Sequence, residues 1–334
     1  MRQRLLVILF CALCSWSAIS AQVPPPTILE IDVDNLVEYF EDTSDLSKFA
    51  TGPNPIAAAS PRNFNFRVGI GDIIAINGQP AKGTLTRNNR QVLLRTAPVT
   101  GQSIADTVRG AVHSDTFEIV KNDGTQIGTI MSYGLGLGTP PPGAPLAITQ
   151  ANLAIIGGTG AFIGARGQWG QAVTPTSTTV RQASVTEDPT FRRLNGGGRV
   201  KFVLQVIPLY RPEIFTTSAG PAVFHADFSL VTAAKPAKAG EVLVVKATGL
   251  GPTVPGVNPG QPFSSVVGQN QVNSPLDVSV NGHLAEVINA IGWPGLVDTY
   301  RVDFRVPEGT TAGSAVVQLT AAWIAGVPVS IAVQ

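Results

Sequence analysis

Three histidines, His113, His225 and His283, are spread along the chain. No two stand at the H-x-x-x-H or H-E-x-x-H spacing that brings two imidazoles to one helix face, so no metal site is expected. No serine sits in a G-x-S-x-G elbow, and nothing in the spacing assembles Ser, His and Asp for acyl transfer. The residues that could do chemistry surround a glycine-dense stretch, Ala154 to Gln168 (AIIGGTGAFIGARGQ): Phe162, Arg166 and, just beyond it, Trp169. An arginine turned into a small enclosed volume is costly to bury alone, so it would pair with a carboxylate or hold an anionic or phenolic group. Turned outwards, Arg166 is an ordinary surface cation, and strand alternation puts the two outcomes one residue apart. Phe162 and Trp169 carry large apolar area and serve either as core or as the wall of a ligand site. Among carboxylates Asp72 is the acid/base candidate; it and Arg166 are the only catalytic candidates, and no catalytic role is assigned.

The elements that must position these residues are strands. The spacing Gly157, Gly160, Gly164 is not the G-x-G-x-x-G of a dinucleotide-binding turn, and the following ARGQWGQAV alternates like a strand. No nucleotide or other cofactor is expected. Gly157, Gly158, Thr159 and Gly160 are instead expected to form a structural turn between two strands, where backbone freedom matters more than side-chain contact.

The segment Gly157-Gly158-Thr159-Gly160-Ala161-Phe162, followed by Ala165-Arg166-Gly167, resembles the GGTG-x-F-x-x-ARG segment of dirigent proteins, relatives of the allene oxide cyclases. The resemblance extends from about Phe64 to Pro208. It implies an eight-stranded antiparallel barrel that orients a phenoxy radical or quinone methide, or cyclises an epoxide, with carboxylates around an apolar cavity. It also implies trimers, so a homo-oligomer is one expectation. The family's early strand usually ends near a V-x-D-[DN] turn, whereas Ile74-Ala75-Ile76-Asn77-Gly78 offers Asn77, which cannot act as a general acid or base.

Met1 to Ala21 has cationic Arg2 and Arg4, an apolar run from Leu5 to Leu13 and small residues Ala18, Ser20 and Ala21, the pattern of a secretory signal peptide cleaved near residues 20–22. Both cysteines, Cys11 and Cys14, lie inside it, so the mature chain would hold no disulfide or thiolate metal site. Losing Arg2 and Arg4 takes the formal charge from +1 to −1, which gives no reason to expect nucleic acid as a partner. No later apolar run reaches the length of a membrane helix, so an integral membrane protein is not expected. A secreted protein, extracellular or periplasmic, follows as the expectation.

Only 13% of residues are charged, while 35 glycines and 26 prolines punctuate short apolar segments, so the fold class expected is all-β. Residues 22–62 form an acidic segment in which Leu29, Ile31 and Val33 alternate with Glu30, Asp32 and Asp34, a first barrel strand with one wet face. Residues 63–208 supply the remaining strands of the barrel; in the first of them Phe64, Phe66, Val68 and Ile70 alternate with Arg67 and Gly69. The polar stretch Thr174 to Asp188 is read as a loop, and residues 209–239 as a proline-bearing linker. Residues 240–334 carry six or seven short strands, expected to form an immunoglobulin-like β-sandwich. Lys246-Ala247-Thr248-Gly249-Leu250-Gly251-Pro252-Thr253, Gly292-Trp293-Pro294-Gly295 and Arg305-Val306-Pro307 resemble a C-terminal domain repeated across secreted acidobacterial proteins; Asp298 departs from it, where glycine is commoner.

Eight strands leave an interior either filled by side chains or able to hold one small ligand. The function expected is therefore a non-catalytic binding or scaffold protein whose barrel takes a small apolar or aromatic ligand. The alternatives are an isomerase or stereochemistry-directing protein of the dirigent and cyclase kind, and a surface or carbohydrate adhesion module.

Overall fold

The computed structural model describes residues 26–41, 64–93, 109–136 and 153–334. Its first half is a closed antiparallel barrel. Strand β1 (Thr27–Glu41) is followed by β2 (Phe64–Ile76), β3 (Gln79–Leu93), β4 (Arg109–Val120), β5 (Gln126–Gly136), β6 (Leu153–Gly160), β7 (Arg166–Ala172), β8 (Arg181–Ser184) and β9 (Gly198–Ile207). Neighbours run β2-β3-β4-β5-β6-β7-β9-β1, and β1 pairs with β2 on its other side, so the sheet seals with eight strands. Closure leaves no long edge to template aggregation.

The tight turn between β2 and β3 falls on Asn77-Gly78, both at positive φ (50° and 75°), as the dipeptide predicts. Gly157, Gly158, Thr159 and Gly160, expected to form the turn after β6, lie in β6 itself, paired with β5 from Met131↔Gly157 to Gly128↔Gly160. The turn falls on residues 161–164. Phe162 and Ile163 donate back to the Thr159 and Gly160 carbonyls at 3.1 and 3.2 Å and Gly160 stands at φ 60°, so Thr159 and Gly160 open the turn, while a Cβ on Gly158, within β6, would stand 2.2 Å from the Phe162 carbonyl oxygen.

Two further departures matter for the lumen. In β1, Leu29, Ile31 and Val33 face inward, but the pairing shifts between Asp34 and Val37, with Asn35 at φ 50°, and from there Leu36 and Glu38 take the inward positions. A bulge of this kind inserts a residue on one strand and exchanges the two faces beyond it. Glu38, which unbroken alternation would leave on the wet face with Glu30, Asp32 and Asp34, is thereby delivered into the barrel. In β2 the alternation is inverted: Arg67, only 8% exposed, points inward, while Ile70 packs outside against Val37, Tyr39 and Ala183. The outer cover is β8, which pairs in parallel with β1 at Val37 to Phe40 and lies within the stretch read as a loop.

The second half is also all-β. Strands 242–248, 300–305, 283–292, 276–280 and 313–321 are hydrogen-bonded in that order, and 329–333 pairs with 313–321. Residues 209–239 are more than a linker: 213–214 and 223–224 both pair with 242–248, while Val231 and Ala237 join the core. Two-residue pairings punctuated by proline leave too short an alternation to be read in sequence. Asp298 adopts φ 44°, the left-handed region, a physical reason for glycine at that position. The two halves meet over an apolar contact, with Ala322 and Ile324 joining the barrel core. There the Asn273 side-chain amide also donates to the Gln126 carbonyl at 2.7 Å.

Candidate functional site in the barrel lumen

The strands carry the lumen as rows of directly paired residues. Near the end that meets the second half, Leu85 faces Phe117 and Phe117 faces Ile130 across β3, β4 and β5. Phe117, Trp169 and Phe202 meet edge to face with centroids 5.3 to 5.8 Å apart, a geometry that adds to their large apolar burial. One row higher the chemistry changes. Glu38, Gly69, Arg87, Asp115 and Ser132 stand opposite one another in sequence across β1 to β5. The next row holds Phe40, Arg67, Asn89, His113 and Gly134.

Within these rows the Arg67 guanidinium donates to Glu38 at 2.9 Å, and Arg87 Nε donates to Asp115 at 3.2 Å. Arg87 also lies 3.8 Å from Glu38 and 3.3 Å from His113 Nδ1. Its guanidinium sits over the rings of Phe202 and Trp169 at 5.6 and 5.8 Å, and Arg67 over Phe40 at 4.9 Å. Gly69 makes room for this arginine: a Cβ there would be 3.1 Å from the Arg87 Cβ. Two guanidinium groups thus oppose two carboxylates, which offsets part of the cost of burying each charge.

Several polar atoms in the cluster have no hydrogen-bond partner among the described residues. They are both amide atoms of Asn89, Arg67 Nε, His113 Nε2, Asp115 Oδ2, Ser132 Oγ and Trp169 Nε1. Asn89 is fully buried, Asp115 and Ser132 are each 1% exposed, and an orphaned buried polar group of this kind costs about 1–3 kcal/mol. Burial, reinforced by Arg87 and Arg67, pulls the His113 pKa down to about 3, so its imidazole is neutral at ordinary pH. Burial pushes Asp115 above the usual carboxylate range, opposed by the neighbouring Arg87. The arrangement can therefore offer both donors and acceptors to an oxygen-bearing molecule resting on an aromatic floor.

The sequence-derived candidates divide. Trp169 is fully buried and belongs to that floor. Phe162 is buried in the same apolar core, below the polar rows. Arg166 is exposed, with Nη1 donating to its neighbour's carbonyl, Ala165, at 2.9 Å, so the outward alternative holds. Asp72 is not beside Arg166; Arg192 and Arg193 bind it at 2.6 and 2.9 Å and Asn35 donates to it, and these hydrogen bonds, against the cost of burial, hold its carboxyl well below the usual range. It anchors the segment before β9 and is a poor proton carrier. Glu38, Arg67, Arg87, Asn89 and Asp115 carry no motif that marks them in the sequence, and the spacing of His113 from the other histidines excludes only a metal pair. The signal was present in β4, where His113, Asp115, Phe117 and Ile119 occupy one face and pass from polar to apolar. No group of three or more potential metal ligands occurs among the described residues.

The fold and site together define a closed antiparallel β-barrel with a buried ionic cluster above an aromatic floor. No protein-family model, curated protein or solved structure matches the chain.

Proposed function

We propose that the upper barrel lumen binds a small, uncharged aromatic molecule bearing hydroxyl or carbonyl oxygens, and that the protein acts chiefly as a binding or scaffold protein. One observation carries the reading: fully buried Asn89 has no partner for either amide atom among the described residues, beside His113 Nε2, Asp115 Oδ2 and Ser132 Oγ in the same state, above Trp169 and Phe202. Ligand sites combine apolar walls with a few convergent polar groups, and this cluster has that composition. The matched pairs Arg67–Glu38 and Arg87–Asp115 leave no single unbalanced cation for an anion, which favours a neutral ligand.

The resemblance of Gly157 to Gly167 to dirigent proteins supports the same class of ligand. The leader-like Met1 to Ala21 supports action outside the cytoplasm, and the alternating strands of residues 240–334 support an immunoglobulin-like module for surface contact. A second reading, an isomerase or stereochemistry-directing protein, is favoured by Asp115. Its raised pKa and free Oδ2, beside a neutral imidazole, suit proton delivery to a bound oxygen.

Calorimetric titration with coniferyl alcohol and with its carboxylate counterpart, ferulate, tests the reading. The alcohol should bind, ferulate at least about tenfold more weakly, and Asn89→Leu should weaken the alcohol by about tenfold for one buried hydrogen-bonding group. Absence of binding, or affinity unchanged in Asn89→Leu, would refute the lumen as the site.

A further inference from the structure

A cleft of about 490 Å³ opens between the closed end of the barrel and the second half of the chain. On the barrel side it is walled by the turn after β6, including Phe162 and Ile163, and by Leu209; opposite stand Leu250, Val257 and Phe263. Its size lies within the roughly 300–1,000 Å³ of small-molecule sites, and junctions between domains are among their preferred places. The walls are held in register beside it, since Ala322 and Ile324 are built into the barrel core and Asn273 donates to Gln126.

Two observations set the ligand's chemistry. The residues lining the cleft include no lysine, arginine or histidine, and their one carboxylate, Asp298, accepts from Thr248 Oγ1 at 3.1 Å. An anionic ligand would meet no cation there, only a like charge. Ser274, 6% exposed, lines the same cleft with a buried Oγ that has no partner among the described residues, whereas the nearby Tyr300 hydroxyl already donates to the Gly251 carbonyl at 2.5 Å. Asn258 and Gln261 line the cleft from exposed positions, so Ser274 supplies the buried hydroxyl without a partner among the described residues in a largely apolar enclosure. The rim keeps large apolar side chains in water, with Leu209 58%, Ile163 56% and Val257 39% exposed. Exposed apolar surface collected around a concavity marks a contact site far better than the same residues scattered singly.

We propose that this cleft is a second small-molecule site, distinct from the lumen, that takes an uncharged and largely apolar compound carrying one hydrogen-bond acceptor, satisfied by the Ser274 hydroxyl. The apolar body lies between Phe162 and Leu209 on one side and Val257 and Phe263 on the other. The proposal does not depend on the lumen binding anything, because the aromatic layer of Phe117, Trp169 and Phe202 lies between the two places.

Fluorescence titration of the full chain with Nile red, a neutral dye with a carbonyl acceptor, and with pyrene, which has none, tests it. Both dyes should bind, and saturating coniferyl alcohol should displace neither. Val257→Trp and Leu209→Trp, which put bulk into the cleft from exposed positions, should each weaken both dyes by at least about tenfold. Ser274→Ala should weaken Nile red by roughly two- to tenfold, the worth of one neutral hydrogen bond, and leave pyrene unchanged. The idea is overturned if neither dye binds, or if both tryptophan variants melt like the parent protein and still bind the dyes with parental affinity. Loss of pyrene affinity in Ser274→Ala equal to that of Nile red would refute the hydroxyl's role.

Discussion

The two halves of the barrel interior are built by the same strands in one continuous register, yet they solve opposite problems. The lower half, from Leu85, Phe117 and Ile130 to Trp169 and Phe202, is held by apolar contact, with Trp169 Nε1 left without a hydrogen-bond partner among the described residues. The upper half begins a single row above and holds half-buried Glu38 and buried Arg67, Arg87 and Asp115 together with the Asn89 amide and His113 Nε2, which lack partners among the described residues. Close packing specifies the lower half, where an unpaired polar atom such as Trp169 Nε1 is a cost. In the upper half the atoms without partners among the described residues would be completed by a ligand of the kind proposed. The comparison teaches that one continuous register of strands can carry an apolar layer and a polar, ion-paired layer a single row apart.

The sharpest way to break that comparison is to treat the upper half as if it were core. Arg87→Leu should destabilise the protein by about 3–5 kcal/mol in denaturant unfolding, because Asp115 is left buried without its partner. Adding Asp115→Leu should recover most of the loss, a non-additivity that the packed lower half would not show. Equal losses from the single and double variants would mean that the ion pair is not the unit.

A smaller effect separates the halves by pH. The folded-state pKa of His113 lies near 3, below its ordinary value of 6.5, so the native state resists taking up a proton that the unfolded chain accepts. Stability from this group is complete above about pH 6.5 and declines as pH falls towards 3, by at most about 1.4 kcal/mol per pH unit. Asp115, shifted upward, acts in the opposite sense, since its native carboxyl takes a proton more readily than the unfolded one and so offsets part of the loss. Thermal midpoints between pH 6.5 and 4.5 should fall in the parent and fall less in His113→Gln. Parallel curves would dissociate the imidazole from acid sensitivity.

The smallest effect is expected outside the barrel. Arg166→Ala removes an exposed side chain whose recorded bond is to its neighbour's carbonyl, so stability and coniferyl alcohol affinity should change by no more than about 0.5 kcal/mol. A tenfold loss of affinity would place the arginine in the site after all.

Much of this architecture could be read before any coordinates. The alternation of Leu29, Ile31 and Val33 with Glu30, Asp32 and Asp34 marks the start of β1, and these three apolar residues do line the core. The site was harder to read because face assignment assumes that the apolar side of a strand turns inward. In β2 that assumption fails, since β8 and the outer side of β1 bury Ile70 from without and leave Arg67 for the lumen. In β1 the rule fails at Asn35, where one extra residue reverses the pattern. Arg166 attracted interest for its place beside a glycine cluster, but proximity in sequence says nothing about which side of the sheet it takes.

That irregularity near Asn35 has a wider meaning. Below it β1 supplies aliphatic wall, and above it an acid, so the presence of one short kink decides which of two alternate sets of side chains lines the upper lumen. A strand of the same length that ran straight through Asn35 would offer Val37 and Tyr39 in place of Glu38 and Phe40 while leaving the sealed base undisturbed. Recognition in such a barrel could be retuned by where a kink falls as well as by which residues flank it.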